Sequence, residues 1–278
     1  MHTISQLIDM ALAEDIGPGD ITTDHLIDPD LEGTGTIVAK EPVVIAGLQI
    51  AREVFQKLDS SAQVMSEYED GDSADVGTVL LSVQASLRGL LTGERTALNF
   101  LQHLSGIATY VRSYVDALEG SSVRLVDTRK TTPGWRVLEK YAVRVGGARN
   151  HRMGLYDGVL IKDNHIAACG GIQHAVARLR KETSHLVKIE VETSDLGQVS
   201  EALSAGADII MLDNMDIPMI REAVKIIGGN ALVEVSGNVT QKEIRALADT
   251  GVDIISSGAL THSAPNVDIS MRIKAVDS

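Results

Sequence analysis

Cationic side chains are concentrated between Asp127 and His165 of an otherwise acidic chain. This stretch carries eight Lys and Arg residues against four Asp and Glu residues, whereas the whole chain of 278 residues has a formal net charge of -13. Like charges at this density repel one another unless spacing or an anionic partner offsets the repulsion. The pattern therefore predicts a binding site for a strongly anionic ligand. The cations are Arg129, Lys130, Arg136, Lys140, Arg144, Arg149, Arg152 and Lys162, with His151 and His165 among them.

Composition limits the kinds of partner that such a site could serve. A pI of about 5.0 argues against nucleic acid and anionic membrane surfaces, which select an extended basic face. No run approaches the ~18 apolar residues that a membrane span needs, and the first residues lack an export pattern. We therefore expect a cytoplasmic protein that binds small anions, with no nucleic-acid or membrane partner. Cys169, the only cysteine, excludes an intramolecular disulfide and a thiolate metal cluster.

Six short apolar runs in the second half of the chain each end in a polar residue, and helical patterns separate them. Right-handed βα units of this uniformity give a parallel sheet and favour closure into a barrel. Six strands fall short of a complete eight-stranded barrel, so the predicted fold is α/β, an incomplete βα barrel over residues 107–264. The predicted strands span residues 123–127, 158–162, 187–192, 209–213, 232–236 and 252–257.

Residues 1–106 show a different pattern. Their strands and helices do not alternate strictly, which predicts an N-terminal α+β sandwich domain. We expect the tail, residues 265–278, to pack back on this domain. The predicted helices span residues 4–14, 49–58 and 92–106, and the predicted strands span residues 34–39, 43–47 and 77–83.

The barrel prediction brings polar strand ends together, because functional residues of βα barrels project from the carboxyl ends of the strands. Two small-residue loops follow the last two predicted strands, where barrels often hold phosphate with backbone N–H groups. The strand ends supply Arg129, Lys130, Lys162, Glu192, Asp213, the loop Ser236, Gly237 and Asn238, and the loop Ser257, Gly258 and Ala259.

Glu192 and Asp213 could form an acid/base pair, but the nearby cations would hold both ionised rather than raise the pKa of one. Ionised carboxylates can accept hydrogen bonds from ribose hydroxyls and hold a Mg²⁺ shared with a diphosphate. They can also stabilise positive charge on an anomeric carbon. The alternative is that these carboxylates only cap strands or pair with lysine.

Several long motifs resemble those of the quinolinate phosphoribosyltransferases, also called carboxylating nicotinate-nucleotide pyrophosphorylases. They occur in order over nearly the whole chain, and they are far more specific than any glycine loop. The resemblance implies transfer of the phosphoribosyl group of phosphoribosyl pyrophosphate (PRPP) to quinolinate, with Mg²⁺, giving nicotinate mononucleotide, pyrophosphate and CO₂. The motifs span residues 12–23, 93–99, 127–134, 150–155 and 160–165.

The resemblance also implies roles for individual residues. It makes Lys130, Lys162, Glu192 and Asp213 catalytic, with Glu192 and Asp213 near the ribose and the Mg²⁺. It implies a homodimer in which Arg95 reaches into the neighbouring subunit's site, and higher oligomers stay open. The residues that it assigns to substrate binding are Arg95, Thr128, Arg129, Lys130, His151, Arg152, Lys162, Glu192, Asp213, Ser236, Gly237, Asn238, Ser257, Gly258 and Ala259.

Three other readings of the chain remain open at this point. A related phosphoribosyltransferase would act on nicotinate, which has no second carboxylate and yields no CO₂. A non-catalytic relative would bind an oxyanion, although such a protein is expected to have lost Glu192 or Asp213. An aldolase-type barrel would use Lys162 as a Schiff base, which requires a desolvated lysine. Four histidines, His103, His174, His185 and His262, lack metal-ligand spacing and are predicted to be solvated or on helix faces.

Overall fold

The computed structural model describes residues 4–237 and 239–275. Contacts divide the chain into two compact units. The first unit comprises the residues up to Arg112, Thr131–Gly147 and the residues from Ser263 onward. The second unit comprises Ser113–Lys130 and Ala148–His262. Each unit has its own sheet.

The sheet of the first unit has four antiparallel strands in the order β12-β1-β5-β3. The last strand, β12, pairs over its whole length with β1, from Gly33 opposite Ala275 to Ala39 opposite Ile269. This strand, Ile269–Ala275, therefore forms one edge of the sheet of the first unit. The strands of this unit are β1 (Glu32–Ala39), β2 (Val43–Val44), β3 (Gln63–Met65), β4 (Ser73–Ala74), β5 (Val79–Ser86) and β12 (Ile269–Ala275), and β2 pairs with β4 alone.

The longest helix is α4, which runs without a break past the end predicted from the sequence. Buried apolar side chains at Leu104, Ile107, Ala108 and Val111 continue its three- and four-residue spacing beyond residue 106. The predicted helix over 92–106 was therefore too short. The helices that lie wholly or largely in the first unit are α1 (Ile4–Ile16), α2 (Ile21–Leu26), α3 (Leu48–Leu58), α4 (Leu87–Ala117) and α5 (Arg136–Val145).

The second unit contains a six-stranded parallel sheet in the order β6-β11-β10-β9-β8-β7, which confirms the predicted strands and the α/β fold. The first strand along the chain lies beside the last, as in a barrel. On its other edge β6 makes one parallel bridge, from Val126 to Arg149. No ladder among the described residues joins that segment to β7, so the barrel is incomplete. The strands are β6 (Arg124–Val126), β7 (Val159–Ile161), β8 (Ile189–Thr193), β9 (Ile209–Asp213), β10 (Leu232–Ser236) and β11 (Ile254–Ser256).

Helices follow the strands of this sheet, and polar caps mark where several begin. The Asp195 and Asp216 carboxylates accept hydrogen bonds from the Gln198 and Met219 N–H groups, which have no partner within their helices. No helix in the described part of the chain has both the length and the apolarity to cross a bilayer. The helices are α6 (Asp163–Cys169), α7 (Ile172–Glu182), α8 (Leu196–Ser204), α9 (Ile217–Ile227), α10 (Ile244–Ala248) and α11 (Ala259–His262).

Strand register decides which side chains of this sheet share a face. Glu192 on β8 lies opposite Met211 on β9, and Met211 lies opposite Glu234 on β10. One layer further along, Asp213 lies opposite Ser236. Because side chains alternate along a strand, these residues all point to the same side of the sheet. Polar groups of three strands are thus gathered on one face at its carboxyl edge.

Candidate active site

A cavity of about 460 Å³ lies at the carboxyl edge of the parallel sheet and is lined wholly by residues of the second unit. Every strand of the sheet contributes to it, either with its last residues or with the loop that follows. The structure thus brings together most of the predicted binding residues, namely Thr128, Arg129, Lys130, His151, Arg152, Lys162, Glu192, Asp213, Ser236, Gly237 and Gly258.

Three other predicted residues do not line the cavity, and a fourth, Asn238, is not described by the structure. Arg95 is exposed on α4 in the first unit. Ser257 and Ala259 do not line the cavity. Ser257 is 1% exposed, because strand alternation turns Ser256 and Gly258 toward the cavity and the residue between them away from it.

The cavity also has lining residues that sequence reasoning missed. Leu160 and Met211 are apolar, whereas Asn214, Glu234 and Ser256 are polar. Glu234 precedes the predicted loop residue Ser236 by two positions. The period of two along a strand is the signal that could have placed Glu234 on the same face.

Hydrogen bonds fix the loop after β6, and in this position the Lys130 side chain packs directly against Gly258. The Lys130 N–H donates to Thr128 Oγ1 at 3.1 Å, and the Thr261 hydroxyl donates to the Lys130 carbonyl at 2.6 Å. A Cβ atom at position 258 would lie 2.7 Å from Lys130 Cδ. Gly258 therefore leaves the space through which the lysine stem reaches the cavity.

Asp127, the residue just after β6, holds the segment that carries His151 and Arg152. Its carboxylate is fully buried. One oxygen accepts from the His151 N–H at 2.9 Å, and the other accepts from Asn150 Nδ2 at 2.6 Å. A buried carboxylate needs such donors to offset its desolvation. Asp127 thus acts by positioning the segment.

The Arg152 guanidinium lies near that of Arg129. Its Nη1 donates to the Gly158 carbonyl at 3.0 Å. Burial lowers the pKa of Arg152, and the nearby charge of Arg129 lowers it further, while Glu190 and Asp157 act in the opposite direction. Arginine still stays protonated at neutral pH. An anion that bound both groups would relieve their repulsion.

Lys162, at the end of β7, contacts Glu192 directly through its ammonium group. The lysine side chain is 45% exposed and the glutamate side chain 16%. A Schiff-base lysine needs a desolvated, neutral amine, whereas the Lys162 side chain is nearly half exposed and contacts a carboxylate. The geometry therefore disfavours the hypothesis of an aldolase-type barrel with Lys162 as a Schiff base.

The loops after β9 and β10 approach each other closely. Asn214 has a left-handed backbone, with φ 52°, and its Nδ2 donates to Asp213 Oδ2 at 2.9 Å. Gly237 has φ 138°, and a Cβ atom there would lie 2.6 Å from Asn214 Oδ1. Only glycine suits both the backbone angle and the space. Gly237 therefore lets the loop after β10 lie directly against Asn214, beside Asp213.

Models of one protein family match the chain over almost its whole length. The model described as the N-terminal domain of quinolinate phosphoribosyl transferase matches residues 20–105, and the model of its C-terminal domain matches residues 107–272.

Individual relatives agree with these matches. The chain is 44% identical over 270 residues to a probable nicotinate-nucleotide pyrophosphorylase [carboxylating] of Bacillus subtilis, covering 97% of this chain and 93% of the relative. It is 50% identical over 265 residues to the Synechocystis protein of the same name, covering 94% and 90%. Its fold superposes on the crystal structure of NadC from Streptococcus pyogenes with a TM-score of 0.94, at 42% identity, covering 99% of this chain and 97% of the other.

Proposed function

The chain belongs to the quinolinate phosphoribosyltransferase family, and we propose that the cavity at the carboxyl edge of its parallel sheet is where the family's reaction takes place. The enzyme is a decarboxylating pentosyltransferase, which joins quinolinate to PRPP and releases pyrophosphate and CO₂. The observation that supports this location best is the convergence on one cavity of four cations, Arg129, Lys130, Arg152 and Lys162, with three carboxylates, Glu192, Asp213 and Glu234.

The cationic side of the cavity suits quinolinate. This substrate carries two carboxylates on neighbouring ring carbons, and it therefore needs more than one charged donor. Arg129 and Arg152 offer planar guanidinium groups that can bind carboxylates with two hydrogen bonds each. Lys162, which lines the same cavity, adds a point charge. We assign these three residues to quinolinate, with Lys130 and Thr128 toward the diphosphate.

The small-residue side suits the phosphoribosyl group. Ser236, Gly237, Ser256 and Gly258 present hydroxyls and main chain without bulky side chains. Phosphate oxygens are commonly held by backbone N–H groups at this edge of a βα barrel. The 5′-phosphate of PRPP is therefore assigned to the loops after β10 and β11.

Glu192 on β8 and Asp213 on β9 lie, in strand order, between β10 with its small-residue loop and β7, which Lys162 follows. Both end or nearly end neighbouring strands, and their carboxylates face the same cavity. Carboxylate oxygens are the donors that Mg²⁺ prefers, so this pair fits a cation shared with the diphosphate. When bound, Mg²⁺ would neutralise charge on the leaving diphosphate. The two residues also accept hydrogen bonds from the ribose hydroxyls.

The reaction needs positioning and electrostatics more than proton transfer. The bond between C1′ and the diphosphate oxygen breaks first, and the oxygen keeps the electron pair. Glu192 and Asp213 lower the free energy of the positive charge that develops on the ribosyl ring. The quinolinate nitrogen then donates its electron pair to C1′. The pyridinium so formed accepts the electrons of the C2–carboxylate bond, CO₂ leaves, and C2 takes up a proton.

Substrate choice tests this assignment directly. We expect PRPP-dependent pyrophosphate release with quinolinate and at least ~100-fold lower kcat/KM with nicotinate, because one carboxylate contact is lost. Comparable rates with both acids would favour the nicotinate alternative. Tight binding of oxyanions without any turnover would favour the non-catalytic alternative.

We further propose that the enzyme is a homodimer in the cytoplasm. The exposed position of Arg95 on α4 supports the idea that it reaches the neighbouring subunit's site. The single cysteine is consistent with a reducing compartment.

A further inference from the structure

Three polar side chains, two of which line the cavity, contact one another and take no part in the bond-breaking and bond-forming steps of the proposed reaction. They are His151, Glu190 and Glu234. Glu190 is 4% exposed and Glu234 is 1% exposed. Each lies two residues before a cavity residue of its own strand, Glu192 on β8 and Ser236 on β10, and therefore on the inner face. Both carboxylates approach the same imidazole nitrogen, His151 Nε2, at 3.1 Å from Glu190 Oε2 and 3.7 Å from Glu234 Oε1.

The backbone decides where the proton of His151 lies. The Arg152 N–H donates to His151 Nδ1 at 2.8 Å. An accepting nitrogen has no proton of its own, so a neutral His151 carries its proton on Nε2. That proton points to the two carboxylates, with Glu190 as the nearer acceptor. The His151 main chain is fixed separately by Asp127, at 2.9 Å.

Two buried carboxylates beside one neutral imidazole would be costly if both were ionised. Glu190 Oε1 and Glu234 Oε1 have no hydrogen-bond partner among the described residues. Burial raises the pKa of Glu234 to about 7, and the charge of Glu190 contributes to this shift. The raised pKa of Glu234 lowers the cost of burying its carboxyl group beside Glu190.

A metal ion is the other occupant that such a cluster could take, since the three ligand atoms lie within 4.8 Å of one another. A metal on His151 Nε2 would move the imidazole proton to Nδ1. That change would break the hydrogen bond from the Arg152 N–H. The observed backbone contact therefore favours the proton over the metal.

We propose that Glu190 and Glu234 are positioning residues that hold His151 as its Nε2–H tautomer and, through its Nδ1, fix the backbone of Arg152 at the floor of the quinolinate pocket. This inference rests on the proposed function, because it assigns Arg152 to quinolinate. Neither glutamate touches the reacting atoms. Their effect is on the affinity for quinolinate and leaves the affinity for PRPP unchanged.

Two substitutions at Glu190 separate hydrogen bonding from mere packing. Glu190→Met keeps the volume but removes the acceptor, and we expect it to raise KM for quinolinate about 10-fold with KM for PRPP within about 2-fold. Glu190→Gln keeps an oxygen that can accept from Nε2, and we expect KM within about 3-fold of wild type. Asp208→Asn is the control, because Asp208 supports the start of β8 through the Ile189 N–H at 2.7 Å without touching His151. This control is expected to leave KM for quinolinate unchanged.

The tautomer has a readout that does not depend on turnover. Long-range ¹H–¹⁵N correlation spectra of the His151 ring are expected to show a protonated Nε2 and a bare Nδ1 in wild type and in Glu190→Gln. The double variant Glu190→Met, Glu234→Met is expected to lose this single pattern. If wild type shows the pattern but does not turn over quinolinate, the proposed function fails and the tautomer assignment stands.

Four results would overturn the inference. The first is an Nδ1–H tautomer of His151 in wild type. The second is an equal rise of KM for quinolinate in Glu190→Gln and Glu190→Met, and the third is an unchanged KM for quinolinate in Glu190→Met. The fourth is a stoichiometric divalent metal in the purified wild type that Glu190→Met no longer binds. If the Met variants fail to fold, the wild-type tautomer and the Glu190→Gln kinetics still decide the question.

Discussion

Arg129 and Arg152 share one pocket, and the charge of Arg129 adds to burial in lowering the pKa of Arg152. Such a pair stores repulsion in the free protein, and a dicarboxylate that binds between them removes it. Hydrogen bonds from the His151 and Arg152 N–H groups to Asp127 and to the His151 ring hold the segment in place against this repulsion. The single residues of this site therefore cannot be judged apart from the groups that hold them.

Replacing Arg152 or Lys162 with alanine measures how much each cation contributes to the use of quinolinate. We predict that Arg152→Ala lowers kcat/KM for quinolinate at least ~100-fold, which corresponds to about 2.7 kcal/mol, while the fold persists. Lys162→Ala is expected to have an effect of the same size. Steady-state kinetics with saturating PRPP measure both, and circular dichroism checks the fold.

Arg180→Ala provides the matched control, because that guanidinium pairs with Asp208 and does not line the pocket. It should leave kcat/KM unchanged. Wild-type kinetics in both Arg152→Ala and Lys162→Ala would contradict the assignment of the pocket.

At the scale of elements, the loops after β9 and β10 contact each other where Gly237 packs against Asn214. Gly237→Ala would strain a backbone with φ 138° and would push Cβ to 2.6 Å from Asn214 Oδ1, beside Asp213. We predict that this variant raises KM for PRPP about 10-fold and also lowers the free energy of unfolding. Steady-state kinetics and urea denaturation measure the two effects.

Gly206→Ala separates backbone strain from the clash with Asn214. Gly206 also has a positive φ, 79°, but nothing lies within 4 Å of a Cβ there. This variant should lose stability and keep the wild-type KM for PRPP. An unchanged KM in Gly237→Ala would show that this loop does not bind the phosphoribosyl group.

Helices α4 and α5 of the first unit are joined by an ion pair that depends on pH. His103 Nε2 lies 3.0 Å from Glu139 Oε1, and its Nδ1 lies 3.1 Å from Asn266 Oδ1. The hydrogen bond to Glu139 raises the pKa of His103, although burial acts against it. The sequence predicted a solvated or helix-face histidine, and His103 does lie on α4. Its contact with Glu139, a fully buried residue of another helix, was not predicted.

The direction of the shift fixes the pH range in which the pair stabilises the fold. A raised pKa means that the folded state binds the proton more tightly, so the contribution is complete below the unfolded pKa and is lost as pH rises through the folded pKa. We predict that wild type exceeds His103→Gln in free energy of unfolding at about pH 5.5, and that the difference shrinks by about pH 8.5. Urea denaturation across this range tests it, and a difference independent of pH would contradict it.

At the scale of the whole molecule, the proposed dimer makes a prediction that no single subunit can satisfy. If the partner's Arg95 completes each site, then Arg95→Ala and Arg152→Ala should both be inactive alone. A refolded mixture would contain heterodimers with one intact site, so we expect roughly a quarter of wild-type activity at equal amounts. Activity that stays at the mean of the separate variants would show that Arg95 acts within its own subunit or not at all.

Much of the fold and part of the site followed from the sequence. Lys162, Glu192 and Asp213 were predictable because each stands at or near the end of an apolar run, and parallel strand ends converge. Glu190 and Glu234 were missed because they lie inside strands, where only the register and the closure of the sheet reveal that they meet His151. Ser257 was predicted to bind substrate, yet the pleat turns it away from the cavity.

The most direct test of the central claim follows the fate of one carboxyl carbon. Quinolinate labelled at the 2-carboxylate, incubated with PRPP and Mg²⁺, is predicted to release labelled CO₂ in a one-to-one ratio with pyrophosphate, and quinolinate labelled at the 3-carboxylate is predicted to release none. Pyrophosphate formed without labelled CO₂, or CO₂ released without PRPP, would contradict the account.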